Sequence, residues 1–124
     1  MTDRKVLIPD ESHPITIAET PATVIVRGGP LEIGRTQSAL TLSEASYPAV
    51  QYVPRGDVDM TRLERSAHTT YCPYKGEANY YDIPALGEVG LNAVWTYETP
   101  FEAVDKIAGH LAFHPDRVSI EIGG

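Results

Sequence analysis

The chain of 124 residues carries 17 acidic against 10 basic side chains, a formal charge of -7 with histidine neutral; it is long enough for one hydrophobic core and too short for two. That balance disfavours sequence-independent attraction to phosphate backbones and anionic lipid, so neither nucleic acid nor a membrane is expected as a partner. A lone Cys72 excludes an intrachain disulfide and paired-cysteine zinc sites, and no apolar run approaches the roughly 18 residues of a membrane span. The expectation is a single cytoplasmic domain over residues 1–124, with no metal and no cofactor.

Near the start, Val6-Leu7-Ile8 is broken at once by Pro9-Asp10-Glu11, which does not have the shape of a secretory leader. Residues 13–20 and 22–27 predict the first two strands, because Ile15 and Ile17 alternate with polar neighbours and Val24-Ile25-Val26 is a β-branched run. Gly28-Gly29-Pro30 is a turn, and beyond residues 31–33 the stretch 34–38 is polar and carries no periodicity. Leu40/Leu42 and Val50/Tyr52 are period-two pairs on either side of Glu44-Ala45-Ser46-Tyr47-Pro48, which predicts two antiparallel strands. Pro54 ends the second of them, and Asp59 is positioned to cap a short helical turn that Met60 and Leu63 would pack down.

Residues 68–74 and 77–83 predict a hairpin with Lys75-Gly76 at its tip, and Pro73 consigns the first of these strands to an edge or a bulge. Residues 87–97 predict a further strand carrying Leu91, Ala93 and Trp95. Thr99-Pro100-Phe101-Glu102 has the pattern of a capping box, and Phe101, Val104, Ala108 and Leu111 then recur at helical spacing, with Gly109 as a stop. Residues 117–122 predict a last strand with Val118, Ile120 and Ile122 inward. The expected fold class is therefore mainly β with one short α-helix near the C-terminus.

The densest run of chemically capable side chains extends from His68 to Glu77. In an extended strand His68, Thr70, Cys72 and Tyr74 share a face, and the candidate catalytic residues are Cys72, as a nucleophile activated by Lys75, and Lys75 itself. The plainer readings are a buried apolar cysteine and a solvated turn lysine. A second cluster comprises Glu44, Tyr47, Tyr52, Arg55 and Asp57; Arg55 there is either an anion clamp or a member of a structural ion pair. Trp95 and Tyr97 alternate along one strand, and with the other aromatics they are core or a wall for a flat ligand. His110 and His114 have metal-ligand spacing for a helix, but Gly109 and Pro115 bracket them and no metal is assigned. His13 has no partner that spacing identifies.

The run Thr70-Tyr71-Cys72-Pro73-Tyr74-Lys75-Gly76-Glu77-Ala78-Asn79-Tyr80-Tyr81 resembles the most characteristic segment of a bacterial family catalogued as domain of unknown function 427. Tyr52-Val53-Pro54-Arg55-Gly56-Asp57-Val58, Asn92-Ala93-Val94-Trp95-Thr96-Tyr97-Glu98-Thr99-Pro100 and Ile107-Ala108-Gly109-His110-Leu111-Ala112-Phe113 resemble its flanking blocks in the same order, over about the last two thirds of the chain. The resemblance implies two antiparallel sheets pinched together like a tent, similar to zinc-binding modules of Mss4-like topology, without their cysteines and so without their metal. The family has also borne a nucleotidyltransferase label, but no motif here brings a triphosphate together with two metal-binding acids.

Three functions follow as expectations. The first is binding or sensing of a small molecule in a cleft lined by Glu44, Tyr52, Arg55, Cys72, Lys75 and Trp95. The second is an enzyme that uses Cys72 or Lys75 covalently, or Glu44 as a general base. The third is an assembly module in which exposed aromatics and an edge strand at Pro73 meet a partner or a second copy of the chain.

Overall fold

Alternation of apolar and polar residues shapes the chain wherever it is regular in the sequence. In the computed structural model, which describes residues 4–123, β1 (Ile15–Glu19) pairs antiparallel with β4 (Leu40–Glu44), and β4 with β5 (Val50–Tyr52). The register is the one that periodicity demands, with Leu40 opposite Tyr52 and Leu42 opposite Val50. A second sheet orders β10 (Ser119–Ile122), β2 (Val24–Gly28) and β3 (Leu31–Thr36), and a third orders β6 (Glu64–Cys72), β7 (Gly76–Asp82), β8 (Val94–Thr96) and β9 (Leu111–Phe113).

The fold is thus mainly β, as expected, but hydrogen bonding divides it into three sheets where the sequence reading has two. Two of the three are joined edge to edge. Val53 and Leu111 exchange both backbone hydrogen bonds at 2.8 Å, which ties the end of β5 to β9 and leaves β10-β2-β3 as the opposing layer. Among the described residues, no helix is long and apolar enough to cross a membrane.

The β7-β8-β9 strands are covered on both faces, and their alternation divides the core in two. Tyr81, Val94, Leu111 and Phe113 face Val24, Val26 and Ile33 in one cluster, while Tyr80, Trp95 and Ala112 join Leu42, Tyr52, Val104 and Ile107 in the other. A central strand buried on both sides has no polar face.

Four sequence expectations are corrected. The polar stretch after Ile33 continues as strand β3 to Thr36, paired to β2 through a register shift at Val26/Arg27. Residues 84–90 are 3-10 turns, which take the first part of the strand expected over 87–97, so only Val94–Thr96 of it survives. The turns are required because the chain folds back on itself: a Cβ at Gly90 would stand 2.1 Å from the Ile83 carbonyl oxygen. The capping box does not form either. The segment Glu102–Ile107 is 3-10 helix with no side-chain cap and a break at Val104, and Leu111, expected on its apolar face, lies in β9. Finally, Val118 is buried at the edge of the last strand, but Ile122 is 56% exposed, because the alternation outlasts the layer that covers it. The Asp59 cap is present, its carboxylate accepting from the Thr61 N–H at 3.2 Å.

Candidate functional site

The β6–β7 hairpin forms as expected, but its tip is displaced. Cys72 pairs with Gly76, so Pro73, Tyr74 and Lys75 make the turn, closed by the Lys75 N–H donating to the Cys72 carbonyl at 3.2 Å. Gly76, with φ 111°, takes the backbone conformation that redirects the chain there. As a result Lys75 points inward. It is 9% exposed, and its ammonium donates to Oε1 of Glu44 at the end of β4.

Glu44 holds a second partner that sequence spacing did not identify. His13 Nε2 lies 2.7 Å from the other carboxylate oxygen, and its ring stacks on Tyr74 with centroids 4.0 Å apart and planes 2° from parallel. Two local features set the imidazole there. The Asp10 carboxylate accepts from the N–H groups of Ser12 and His13 at 2.9 and 3.1 Å, forming an Asx-type turn. The Ala45 N–H donates to the Pro14 carbonyl at 2.8 Å, which fastens the start of β1 to the residue after Glu44. Burial opposes ionisation of Glu44, but hydrogen bonds from Lys75 and His13, with the charges behind them, outweigh it and hold the carboxyl below its ordinary value.

The Lys75–Glu44 pair lines a cavity of about 210 Å³. Leu42, Val50 and Tyr52 line it from one sheet, Tyr80, Trp95 and Tyr97 from the other, with Tyr47 and Pro48 in the β4–β5 connection and His114 completing the lining. Tyr52 and Trp95 meet edge to face, their centroids 6.4 Å apart, and the indole N–H donates to the Tyr52 hydroxyl at 3.3 Å. Burial pushes the Tyr52 phenol up to about 12 and raises that of Tyr97, so both are neutral hydrogen-bonding groups. Burial also lowers His114, whose ring tilts against Trp95 at 4.7 Å between centroids. Tyr47 is 64% exposed and forms the rim.

Of the six residues expected to line a cleft, Glu44, Tyr52, Lys75 and Trp95 converge on this cavity, and Cys72 and Arg55 do not. Cys72 is half-buried and packs against the second apolar cluster. Arg55 donates instead to the Tyr81 hydroxyl at 2.8 Å, and Tyr81 belongs to the first cluster, on the opposite face of β7. Asp57 accepts from Thr36 at 2.7 Å, away from the cavity. His13, Tyr47, Tyr80, Tyr97 and His114 are the additions. The sequence already pairs Tyr97 with Trp95 by alternation, and the same period along β7 could have added Tyr80; nothing local could have paired residues 13 and 44.

His110 and His114 flank a strand, not a helix, and the three residues of β9 between them hold them about 13 Å apart. Among the described residues, no three His, Cys, Asp or Glu side chains converge as a metal site. Comparison with proteins of curated function finds no match. The family model described as domain of unknown function DUF427 matches residues 16–124, nearly the whole chain, and the protein belongs to that family.

Proposed function

We propose that this domain binds or senses a small, flat, uncharged molecule with a hydrogen-bond acceptor at one end. The observation that carries the reading is a lysine side chain 11% exposed in the lining of a cavity whose other walls are largely aromatic. An ammonium has three N–H donors, and among the described residues one hydrogen bond of Lys75, to Glu44, is formed. The remaining donors suit a carbonyl, amide or hydroxyl oxygen on a ligand.

Charge selects against ions. Lys75 and Glu44 cancel, and His114 is kept neutral by burial, so a carboxylate ligand would meet Glu44 in a setting of low effective dielectric. Size selects further, because about 210 Å³ lies below the usual range for drug-sized ligands and fits one ring with a short substituent. Tyr52, Tyr80 and Trp95 offer such a ring both faces and edges.

Trp95 is the sole tryptophan, so its fluorescence reports occupancy directly. Titration with benzamide and other single-ring amides and ketones should shift Trp95 emission and raise Tm. A ligand at one hundred times its Kd stabilises by about 2.7 kcal/mol, a Tm rise on the order of 10 °C for a domain of this size. Benzoate should bind more weakly than benzamide, and Lys75→Met, which removes the donor and leaves Glu44 without its counter-ion, should weaken benzamide and widen the difference. A panel of such compounds that moves neither the emission nor Tm would sink the reading.

A further inference from the structure

We propose that Lys75 forms a reversible imine with small flat aldehydes and ketones that enter the aromatic cavity. The proposal rests on the cavity being a ligand site and adds covalent chemistry to it. The chain has three lysines, Lys5, Lys75 and Lys106; Lys5 and Lys106 are exposed, whereas Lys75 is buried and lines the cavity. A carbonyl compound stacked among Tyr52, Tyr80 and Trp95 is therefore held beside one amine out of three, and proximity turns an encounter reaction into an internal one.

The groups around Lys75 match the proton transfers that imine formation requires. Glu44 Oε1, already hydrogen-bonded to the ammonium, takes the first proton. The free amine then forms a C–N bond to the carbonyl carbon as the C–O π bond breaks, and a proton passes from the attacking nitrogen to that oxygen to give a carbinolamine. Expulsion of that hydroxyl as water, with the proton returned from Glu44, leaves a protonated imine. Overall, one ammonium and one carbonyl give one iminium ion and one water, with no change in charge and no other reactant. His13, 2.7 Å from Glu44 Oε2, fixes the carboxylate.

The ion pair with Glu44 is compatible with this chemistry because the product carries the same single positive charge in the same place. Glu44 is the counter-ion of the ammonium before reaction and of the iminium after it. The apolar side chains of Leu42 and Val50 limit the water that would hydrolyse the product.

The experiment uses the full chain with benzaldehyde, trapping by sodium cyanoborohydride and locating the benzyl adduct by peptide mass spectrometry, beside a benzamide titration followed by Trp95 fluorescence. Lys75 should be labelled about tenfold or more faster than Lys5 and Lys106. Benzamide should compete with the labelling, and Lys75→Arg, which removes the amine, should abolish the adduct at residue 75. Labelling of the two exposed lysines at the same rate as Lys75 or faster, in a protein that binds benzamide, overturns the imine and leaves the binding reading standing. Absence of both benzamide binding and preferential labelling overturns both. The comparison among the three lysines is made within the unaltered protein, so it does not depend on any variant folding.

Discussion

The two faces of the β7-β8-β9 strands are built from alternate residues of the same three segments, yet one face is closed and the other holds a cavity. On the closed face Val94 and Leu111 are fully buried, and with Tyr81 and Phe113 they meet Val24, Val26 and Ile33. On the other, Ala78 and Ala112 alternate with Tyr80 and Trp95, and Tyr80 and Trp95 border a cavity that Leu42, Val50 and Tyr52 of the neighbouring sheet also line. The difference shows how one sheet separates two tasks. A face of interlocking branched side chains supplies stability, and a face rich in aromatics borders the cavity that the Lys75–Glu44 pair also lines.

The largest effect that would sharpen this contrast is on the closed face. Leu111→Ala should destabilise the domain by about 2 to 5 kcal/mol, read by urea unfolding, because it opens a void in the first cluster at the point where β9 is tied to Val53. A loss well under 1 kcal/mol would mean that the closed face is loosely packed and that the contrast is false.

A smaller effect lies in the cavity lining and depends on pH. The Glu44 carboxyl is held below its ordinary value in the folded protein, so the folded state binds fewer protons there than the unfolded state does. Its stabilisation is therefore full above the unfolded value of about 4.3 and is lost as pH falls through the folded value. Wild type should exceed Glu44→Gln by about 2 kcal/mol near neutral pH, and the gap should narrow as pH drops below about 4, as followed by unfolding at a series of pH values. A gap that widens toward acid would reverse the assignment of Glu44 as the ionised partner.

The smallest effect is the most discriminating. Arg55→Ala removes a hydrogen bond to the Tyr81 hydroxyl and should cost about 1 kcal/mol or less while leaving benzamide affinity unchanged by Trp95 fluorescence. An affinity loss comparable to that of Lys75→Met would place Arg55 in the ligand's path and dissolve the separation of the two faces.

The legible parts of this molecule are those in which a residue and its partner obey a short rule. The β4–β5 register follows from Leu40/Leu42 against Val50/Tyr52, the Asp59 cap from its place before Met60, and the β6–β7 hairpin from Gly76. Thr99-Pro100-Phe101-Glu102 obeys a local rule too, and there the rule loses. Backbone bonding of Phe101 to the Lys75 carbonyl at 3.0 Å holds the segment against the hairpin turn, and a regular helix does not start. Cys72 stands out by its neighbours in sequence, but the turn begins two residues earlier than the sequence implies, which puts Cys72 against the core and leaves Lys75 to face the cavity.

By itself, the sequence determined the mainly β class, the family, and four of the residues that converge on the cavity, because each depends on composition, alternation or a contiguous motif. Only the tertiary structure decided that β5 meets β9, that Arg55 belongs to the closed face, and that His13 completes the site. Residues 13, 44 and 75 come from three separate segments, and a pairing between distant segments is fixed by how the sheets pack, which no local pattern encodes.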